Sequence, residues 1–393
     1  MADSGPDTEA CLLNQIAGLA VRRFTEYPVT SVFVDMRPRR TRRPGLVFLK
    51  KALAGLEKLA AARTAEAKAV AADLRRIEAA AEEARRKGAN QLAVFSSARE
   101  DFLEKFFWNL SPEAELQIPH SFVRGFRPHL YPVALLLDRL ENFLLLVAGL
   151  QKGELFRVEA GQVTERWEKE APLPQETRRE KRGAFDRRTG NIHTTFTKRV
   201  EEHLKVHEEK FFRVLAEKTA GWAKSHGIRS VILGADSVAG PPIKEKILEQ
   251  NSRIGVVLAP IDAKLSPAKK LALGIRVFRQ REREASHQRV EELLSSGRRK
   301  TTFGAVPVLL ALRQSVRGAV LVLDEAFHLT APICGRCSAV AVKPESCPDC
   351  GGGTQLSSLE NELICLAAAT GTEIEFVKDS EALARRGGVG LLI

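Results

Sequence analysis

Two Cys-x-x-Cys pairs constrain the fold of this chain more than any other local feature. Cys334 and Cys337 form the first pair and Cys347 and Cys350 the second, with nine residues between the pairs. Two residues inside each pair allow both thiolates to reach one ion about 2.3 Å away. Four thiolates in tetrahedral array select zinc, and a site with four protein ligands is closed and structural. The spacing predicts a zinc ribbon over 334–352, with incidental thiols or a redox pair as the alternatives.

The rest of the chain has the composition of a globular protein with a basic surface. Its 393 residues suffice for two or three domains, and 44% of them are hydrophobic, which excludes disorder of the whole chain. Lysine and arginine number 61 against 49 acidic residues, a formal net charge of +12. A basic excess of this size favours a polyanionic partner, most simply nucleic acid.

The remaining cysteines and the apolar segments indicate the cellular compartment in which the protein is expected. No segment reaches the roughly 20 apolar residues that a membrane helix needs, and residues 1–11 lack the basic and apolar regions of a signal peptide. Cys11 and Cys365 stand alone, so a disulfide framework is not expected, and both are predicted to be free, buried thiols. We therefore expect a cytoplasmic protein. A monomer is also expected, although none of these features bears on it.

The first of three predicted α/β units covers 1–128. A strand rich in β-branched residues is expected at 29–35 and a second buried strand at 92–96. Between them, residues 46–87 have the apolar spacing of an amphipathic helix. The basic segment 37–43 is predicted to be a loop.

The second unit, 129–264, opens with apolar runs at 131–137, 143–150 and 153–158, which predict an antiparallel meander of strands. Residues 172–191 are polar and basic, and we expect them to form an exposed loop. The other elements predicted here are an extended segment at 161–167, a helix at 195–226, a strand at 230–234, a helix from 241 and a strand at 254–258.

The third unit, 265–393, contains the cysteine pairs. A hydroxyl followed by proline predicts the start of a charged helix over 266–296. The other predicted elements are helices at 302–314, 357–369 and 380–386, and strands at 318–323, 373–377 and 389–393. This alternation of helices and strands predicts an α/β/α layered domain.

These motifs, in this order, resemble the archaeo-eukaryotic class-one release factor and Pelota superfamily, and most closely its bacterial branch of Balon-like ribosome hibernation factors. Ser31-Val-Phe-Val-Asp35 stands where the family has a strand before a long helix. The 172–191 loop followed by the 195–226 helix matches the layout of the family's middle domain. The motifs that look like the third domain are Phe303-Gly304, the inserted ribbon, Ile374-Glu-Phe-Val377 and Gly387-Gly-Val-Gly-Leu-Leu-Ile393.

The resemblance covers nearly the whole chain and implies three domains. These are an N-terminal α/β domain (1–128), an RNase H-like middle domain (129–264) and an L30e-like C-terminal domain (265–393) with an inserted zinc ribbon. It also implies the ribosome as partner, at the A site, and a translational GTPase such as EF-Tu as a further partner.

Two motifs of the family are missing. True release factors carry Gly-Gly-Gln in the middle-domain loop, where it helps water attack the peptidyl-tRNA ester. Here Gly183 and Gly190 stand apart, and Gln175 has no glycine neighbour. The codon-reading Asn-Ile-Lys-Ser is also absent from the first unit. The resemblance therefore implies a factor that occupies the A site of idle or stalled ribosomes without chemistry, in hibernation or rescue.

Two other functions stay open. One is a divergent release factor that hydrolyses peptidyl-tRNA with other residues. The second is a zinc-ribbon RNA-binding protein unconnected to the ribosome. No catalytic residue is predicted: His193 and Asp186 lie in a loop that promises no fixed geometry, and His203 and His207 lack a third metal ligand.

The candidates for contact with ribosomal RNA are basic residues in two segments. Each phosphate contact would add salt-sensitive affinity without reading sequence. Aromatic residues make up only 6% of the chain, so phosphate neutralisation is favoured over base stacking. Solvated segments with no partner are the alternative. The candidates are Arg178, Arg179, Lys181, Arg182, Arg187 and Arg188, together with Arg37, Arg39, Arg40, Arg42 and Arg43.

Overall fold

The computed structural model describes ten stretches of the chain. They are residues 8–24, 27–37, 44–60, 64–110, 118–140, 142–171, 194–295, 301–314, 318–341 and 346–393. The chain forms two compact units, one of Met1–Leu140 with Glu282–Ile393 and the other of Glu141–Arg281. The division into three domains stays a prediction. Within the described stretches, no helix combines the length and the apolar character needed to cross a membrane.

The N-terminal part of the larger unit contains an antiparallel four-stranded sheet with strand order β3-β2-β1-β4. Its strands are β1 (Val29–Asp35), β2 (Gln91–Ser97), β3 (Phe102–Trp108) and β4 (Ser121–Gly125). The β-branched and aromatic residues of β1 suit a central strand, and every residue of β1 is buried. The strands expected at 29–35 and 92–96 are confirmed, whereas β3 and β4 are not predicted by the sequence.

Two helices pack against this sheet, α2 (Pro44–Ala60) and α3 (Ala65–Arg86). The first helix, α1 (Thr8–Val21), packs instead against the helix Leu359–Thr370 of the C-terminal part. The single helical region expected over 46–87 is therefore two helices. The second starts where the Thr64 hydroxyl accepts a hydrogen bond from the backbone N–H of Ala67, an N-cap. The buried stripe of α3 shares one core with β1 and β2 and includes Val70, Ile77, Ala81 and Ala84.

Helix α4 (Tyr131–Asp138) replaces an expected strand, so the prediction for 131–137 is wrong. Pro132 lies in the first turn, where its missing N–H breaks no helical hydrogen bond. The leucines and the alanine that follow are good helix formers. Residues from Tyr131 through Leu136 are all buried. The run is therefore apolar on every side and has no periodicity to distinguish a helix from a strand.

The smaller unit contains a five-stranded sheet with strand order β7-β6-β5-β8-β9. The strands are β5 (Asn142–Ala148), β6 (Lys152–Glu159), β7 (Gln162–Glu170), β8 (Ser230–Gly234) and β9 (Gly255–Ala259). Strand β6 is antiparallel to both of its neighbours, and the pairs β5–β8 and β8–β9 are parallel. The meander expected for the runs at 143–150 and 153–158 is confirmed, with β7 as its third strand.

Helices cover both faces of the five-stranded sheet. They are α5 (Thr194–Ser225), α6 (Gly240–Gln250) and the first part of α7 (Pro267–Leu294). Leu144 and Leu146 point to the core shared with α5 and α6, and Leu145 points to the opposite face. Gly274 of α7 lies against Leu145, and a Cβ at Gly274 would be 2.9 Å from a Leu145 methyl carbon. The absent side chain therefore allows this close approach of helix and sheet.

The C-terminal part of the larger unit contains a four-stranded sheet with order β10-β15-β11-β14. Its strands are β10 (Thr301–Phe303), β11 (Val320–Asp324), β14 (Glu373–Val377) and β15 (Val389–Leu392). The helices are α8 (Ala305–Arg313), α9 (Leu359–Thr370) and α10 (Glu381–Ala384). A separate hairpin of β12 (Thr330–Cys334) and β13 (Thr354–Ser358) lies between β11 and α9 in the chain.

The helix expected over 302–314 starts later than predicted. Gly304 has a φ of +84°, which a helix does not accommodate, and α8 begins only at Ala305. The residues before it pair with β15 as strand β10. The other helices and strands expected in this part of the chain are confirmed to within a few residues.

Candidate metal centre and its surroundings

The four cysteines of the two Cys-x-x-Cys pairs meet at the tip of the β12–β13 hairpin. Their Sγ atoms all lie within 4.8 Å of one another. The Sγ atoms of Cys334 and Cys350 are 3.5 Å apart, and those of Cys337 and Cys347 are 3.4 Å apart. Four sulfurs bound to one tetrahedral ion at about 2.3 Å would be about 3.8 Å apart. The thiols therefore fit around a single metal ion, as the spacing predicts.

Backbone geometry explains why only glycine suits the second turn. The Gly352 carbonyl accepts a hydrogen bond from the N–H of Cys347, at 2.8 Å. A Cβ at Gly352 would lie 3.3 Å from the sulfurs of both Cys334 and Cys350. Gly351 has a φ of +66°, the left-handed region that favours glycine. The two glycines thus allow the chain to turn directly beside the sulfurs.

Hydrogen bonds shift the pKa of two thiols of the cluster in opposite directions, and that of Cys337 is raised to about 12 by burial and by its thiol neighbours. Although burial of Cys334 opposes ionisation, N–H groups of Cys337 and Arg336 lower its pKa to about 7. The Arg336 nitrogen is 3.4 Å from the Cys334 sulfur. Metal ions bind the thiolate and not the thiol, so a lowered pKa favours the form that ligates.

Two arginines from the N-terminal part of the chain converge on the first turn of the metal centre. Arg23 donates to the carbonyl of Gly335 and to the Ser338 hydroxyl, both at 2.7 Å. Arg127 donates to the same hydroxyl at 3.0 Å. The pKa of Arg23 is lowered, first by burial and then by the charge of Arg127. Glu362 and the thiols oppose this shift without reversing it. A divalent ion with four thiolates carries two negative charges, and these guanidinium groups supply the opposite charge.

The base of the hairpin is joined to the start of α4 through Asn361. Ser358 caps α9, its hydroxyl accepting from the Asn361 N–H at 3.1 Å. The Asn361 side-chain oxygen accepts from the N–H groups of Leu130 and Tyr131, at 2.6 and 3.2 Å. Its amide donates to the Pro128 carbonyl at 3.0 Å. One buried side chain therefore satisfies three backbone groups of the segment before α4.

Arg37 is the predicted RNA-binding residue that falls within the described residues. It is buried, and its guanidinium bonds the Asp35 carboxylate with Nη2–Oδ2 at 2.7 Å. Burial raises the pKa of Asp35, but the bonds to Arg37 outweigh this effect and hold that pKa below its ordinary value. This arrangement favours a structural role at the end of β1, and RNA contact by Arg37 stays a prediction.

The other RNA-binding candidates lie outside the described residues, and so do His193 and Asp186. The same holds for the side chains of Cys11 and His203. Contact with RNA stays a prediction for these candidates: Arg39, Arg40, Arg42, Arg43, Arg178, Arg179, Lys181, Arg182, Arg187 and Arg188.

Cys365 is confirmed as a free, buried thiol, and burial raises its pKa to about 12. Sequence reasoning missed Arg23, Arg127 and Asn361, whose partners lie more than 200 residues away along the chain. No local pattern in the sequence signals such contacts.

The sequence matches no protein-family model, and no curated protein matches it significantly. The archaeal translation termination factor aRF1 is similar in structure, with 13% identity, 99% of this chain and 97% of that chain covered, and a TM-score of 0.22. A model of ribosome-bound archaeal Pelota and ABCE1 has 12% identity, 77% coverage of each chain and a TM-score of 0.39.

A third similar structure is S. cerevisiae Dom34, a translation termination-like factor involved in RNA quality control pathways and interacting with Hbs1. It has 11% identity, with 77% of this chain and 78% of that chain covered, and a TM-score of 0.32. At these identities and TM-scores, the likeness carries no conclusion about the function of this chain.

Proposed function

We propose that this protein is a ribosome-binding translation factor of the release factor and Pelota superfamily, one that occupies the A site of idle or stalled ribosomes without hydrolysing peptidyl-tRNA. The place of the four-cysteine hairpin carries the proposal. It is inserted between β11 and α9 of the C-terminal sheet, where the family that the sequence resembles often has an inserted mini-domain.

The five-stranded sheet supports the same proposal. With strands numbered in chain order, its arrangement is 3-2-1-4-5 and strand 2 runs antiparallel to its neighbours. This is the strand order of RNase H-like folds, which the resemblance implies for the middle domain. Helix α5 follows the basic segment 172–191, as in the family's layout.

The metal in the proposed function is zinc. Four buried or half-buried thiols at these separations suit a soft, tetrahedral ion. With all four positions taken by protein ligands, the ion would leave no open position for water or substrate. It would therefore stabilise the hairpin in the conformation that contacts Arg23 and Arg127, and it would take no part in a reaction.

The absence of Gly-Gly-Gln from the sequence supports binding without peptidyl-tRNA hydrolysis. The basic side chains of 178–188 and 39–43 would neutralise ribosomal RNA phosphates. A translational GTPase such as EF-Tu is the proposed delivery partner, on the resemblance alone.

Co-sedimentation with vacant bacterial ribosomes at increasing salt tests the proposal. We expect saturable binding that weakens with salt, because phosphate contacts release counterions. We also expect protection of A-site nucleotides from chemical probing and no peptide release from programmed ribosomes. Release at catalytic levels, or no co-sedimentation at low salt, would contradict the proposal.

A charge-matched pair of variants tests whether the predicted loop 172–191 contacts ribosomal RNA. Replacing its six basic residues by glutamine is expected to weaken ribosome binding and flatten its salt dependence, by about one unit of slope per lost phosphate contact. The control changes six exposed basic residues elsewhere to glutamine and lowers the net charge equally. Equal binding by both variants would argue against loop contacts. The control residues are Arg75, Arg85, Arg86, Lys269, Arg276 and Arg281.

A further inference from the structure

Strand β7 lies at one edge of the five-stranded sheet and pairs with β6 on one side. Among the described residues, no strand pairs with its other side. Its nine residues make it the longest strand that the structure describes, and most of them are exposed. An edge strand of this kind presents unpaired backbone N–H and C=O groups to a further strand. The proposed function makes no use of this edge.

The hydrogen bonds of the β6–β7 ladder show which backbone groups face the free edge. The N–H of Ala171 donates to the Gln151 carbonyl at 2.8 Å, and the pairing continues from there without a shift over 165–170. Along an antiparallel strand, residues bonded to one neighbour alternate with residues that point away from it. The odd-numbered residues of this stretch therefore bond β6 through their backbone, whereas Arg166 and Glu168 turn their N–H and C=O groups to the free edge.

Charged side chains dominate the same part of β7. From Glu165 to Lys169, four of the five residues are charged, and Trp167 lies at the centre. Charges on an edge strand ordinarily prevent it from pairing with another strand. The reason is that like charges directly opposite each other destabilise a strand pair, whereas opposite charges stabilise it. Pairing at this edge therefore depends on which charges a second strand places opposite those of β7.

A second copy of β7 meets this condition in one register. Two antiparallel copies related by a twofold axis can join their outward-facing backbone groups only if the axis passes through a residue of the strand. An axis through any charged residue of the stretch sets that residue against its own copy, so that like charges meet. An axis through Trp167 sets the two indole rings opposite each other instead.

Around this centre every charge of the stretch meets its opposite. Arg166 lies opposite Glu168 of the second copy, and Glu165 lies opposite Lys169 of the second copy. Since Arg166 and Glu168 carry the outward backbone groups, each of their pairs exchanges two backbone hydrogen bonds. Trp167 then occupies the closer, non-hydrogen-bonded position, where aromatic pairs stabilise a sheet. Backbone alternation and side-chain charge thus select the same register.

The side chains of this register are accessible to a second copy. Those of Glu165, Arg166 and Glu168 are 40%, 45% and 52% exposed. Lys169 is exposed, and Trp167 is half-buried against the core of the sheet. Arg166 and Glu168 already form an ion pair within the chain, at 3.0 Å. Two copies would place two arginines and two glutamates in alternation, so each charge gains an attractive neighbour and keeps its present one.

We propose that two copies of this chain pair edge to edge through β7, antiparallel and centred on Trp167, which joins their five-stranded sheets into one. The regular ladder ends at the bulge near Thr164, so the paired stretch is short. An interface at the low end of the size range forms a weak dimer that depends on protein concentration. The inference concerns the free protein, and its test needs no ribosomes, so its outcome leaves the proposed function untouched.

Sedimentation velocity of the full-length protein at rising concentration provides the first test. We expect a reversible shift from monomer to dimer between micromolar and submillimolar concentration, as small interfaces give. Glu168→Pro should prevent the shift, because proline removes an N–H that faces the free edge and leaves the ladder with β6 intact. A monomer at every concentration would overturn the proposal and show that the charges of β7 protect the edge. Unchanged dimerisation of Glu168→Pro would overturn the place of the contact.

Two charge reversals test the register. Lys169→Glu and Glu165→Lys each set like charges opposite each other when the variant pairs with itself, so each alone should dimerise about tenfold more weakly. An equimolar mixture restores both Glu–Lys contacts, and the mixed dimer should form as readily as that of the wild type. A mixture that dimerises no better than either variant alone, or variants that dimerise as the wild type does, would overturn the register.

The control for the charge reversals is Arg253→Glu. This residue is exposed and precedes β9, the strand at the opposite edge of the sheet. The change alters the net charge as much as Lys169→Glu does, and it should leave dimerisation unchanged. Thermal unfolding confirms that each variant is folded. Equal weakening by Arg253→Glu would mean that net charge and not the β7 contact governs association, and would overturn the proposal.

Discussion

The side-chain oxygen of Asn361 lies 2.6 Å from the backbone nitrogen of Leu130, although the two residues are 231 positions apart in the chain. Leu130 is fully buried, so its N–H has no access to water. The first turn of α9, at the base of the cysteine hairpin, is thereby bonded to the segment that starts α4. Both segments belong to the same compact unit.

Replacing Asn361 by alanine is therefore expected to destabilise the protein. The change leaves the N–H groups of Leu130 and Tyr131 without this partner and removes one of the hydrogen bonds to the Pro128 carbonyl. Each unsatisfied buried group costs about 1–3 kcal/mol. Urea unfolding measures the loss. Gln250→Ala, at an exposed position in the smaller unit, is the control and should stay within about 0.5 kcal/mol of the wild type. A similarly small change for Asn361→Ala would show that water replaces the amide.

Metal content provides the second prediction. The purified protein should contain one zinc ion per chain, and Cys347→Ser should lose it because three thiolates bind more weakly than four. Cys365→Ala is the matched control, since Cys365 is a buried thiol outside the cluster. Elemental analysis after desalting gives the stoichiometry. One ion per chain in Cys347→Ser would contradict a four-cysteine site.

Chelation tests the contribution of the ion to folding. Removing the metal is expected to lower the temperature of unfolding, since in such small hairpins the free energy of metal binding contributes to that of folding. The chelator should leave the unfolding of Cys347→Ser unchanged. An equal shift in both proteins would mean that the chelator acts elsewhere.

The sequence predicts those elements whose signal is local. The cysteine spacing is sufficient to predict the cluster of four thiols, and the β-branched run at 29–35 is sufficient to place β1. Helix α4 could not be predicted because Tyr131 through Leu136 are buried all round, which removes the periodicity. Strands β12 and β13 are short, and β13 is polar, so their pairing depends on the thiols that close the hairpin.

The surroundings of the centre depend on tertiary contacts and not on motifs. Arg23 reaches Ser338 across 315 residues of sequence, and neither residue stands in a pattern that marks it. Sequence alone therefore identifies the four clustered cysteines and leaves their charged surroundings unassigned.

His129 provides a prediction about pH. Burial lowers its pKa to about 4, with the neighbouring Glu360 raising it and His328 lowering it further. Because the folded pKa lies below the unfolded value of about 6.5, protonation favours the unfolded chain. The stabilisation is complete above pH 6.5 and is lost as the pH falls towards 4, by at most about 1.4 kcal/mol per pH unit.

The variant His129→Gln isolates this contribution. Its free energy of unfolding, measured by urea titration from pH 7 to pH 4, should fall less steeply than that of the wild type. Burial of Asp138 raises its pKa and acts in the opposite direction, but it is present in both proteins and cancels in the difference. Parallel curves for the two proteins would mean that His129 becomes protonated as readily in the folded state as in the unfolded chain.

Two helical glycines with different surroundings give the last prediction. Gly274→Val should destabilise the protein by about 1–3 kcal/mol, because a Cβ there meets Leu145 at 2.9 Å and the packed sheet has to shift. Gly221, in α5, has no atom within 4 Å of such a Cβ. Gly221→Ala should therefore stabilise the protein by up to about 1 kcal/mol, the difference in helix propensity. Urea unfolding of both variants measures the contrast. Stabilisation by Gly274→Val would contradict the close approach of α7 to β5, because a valine could not enter that contact without displacing one of them.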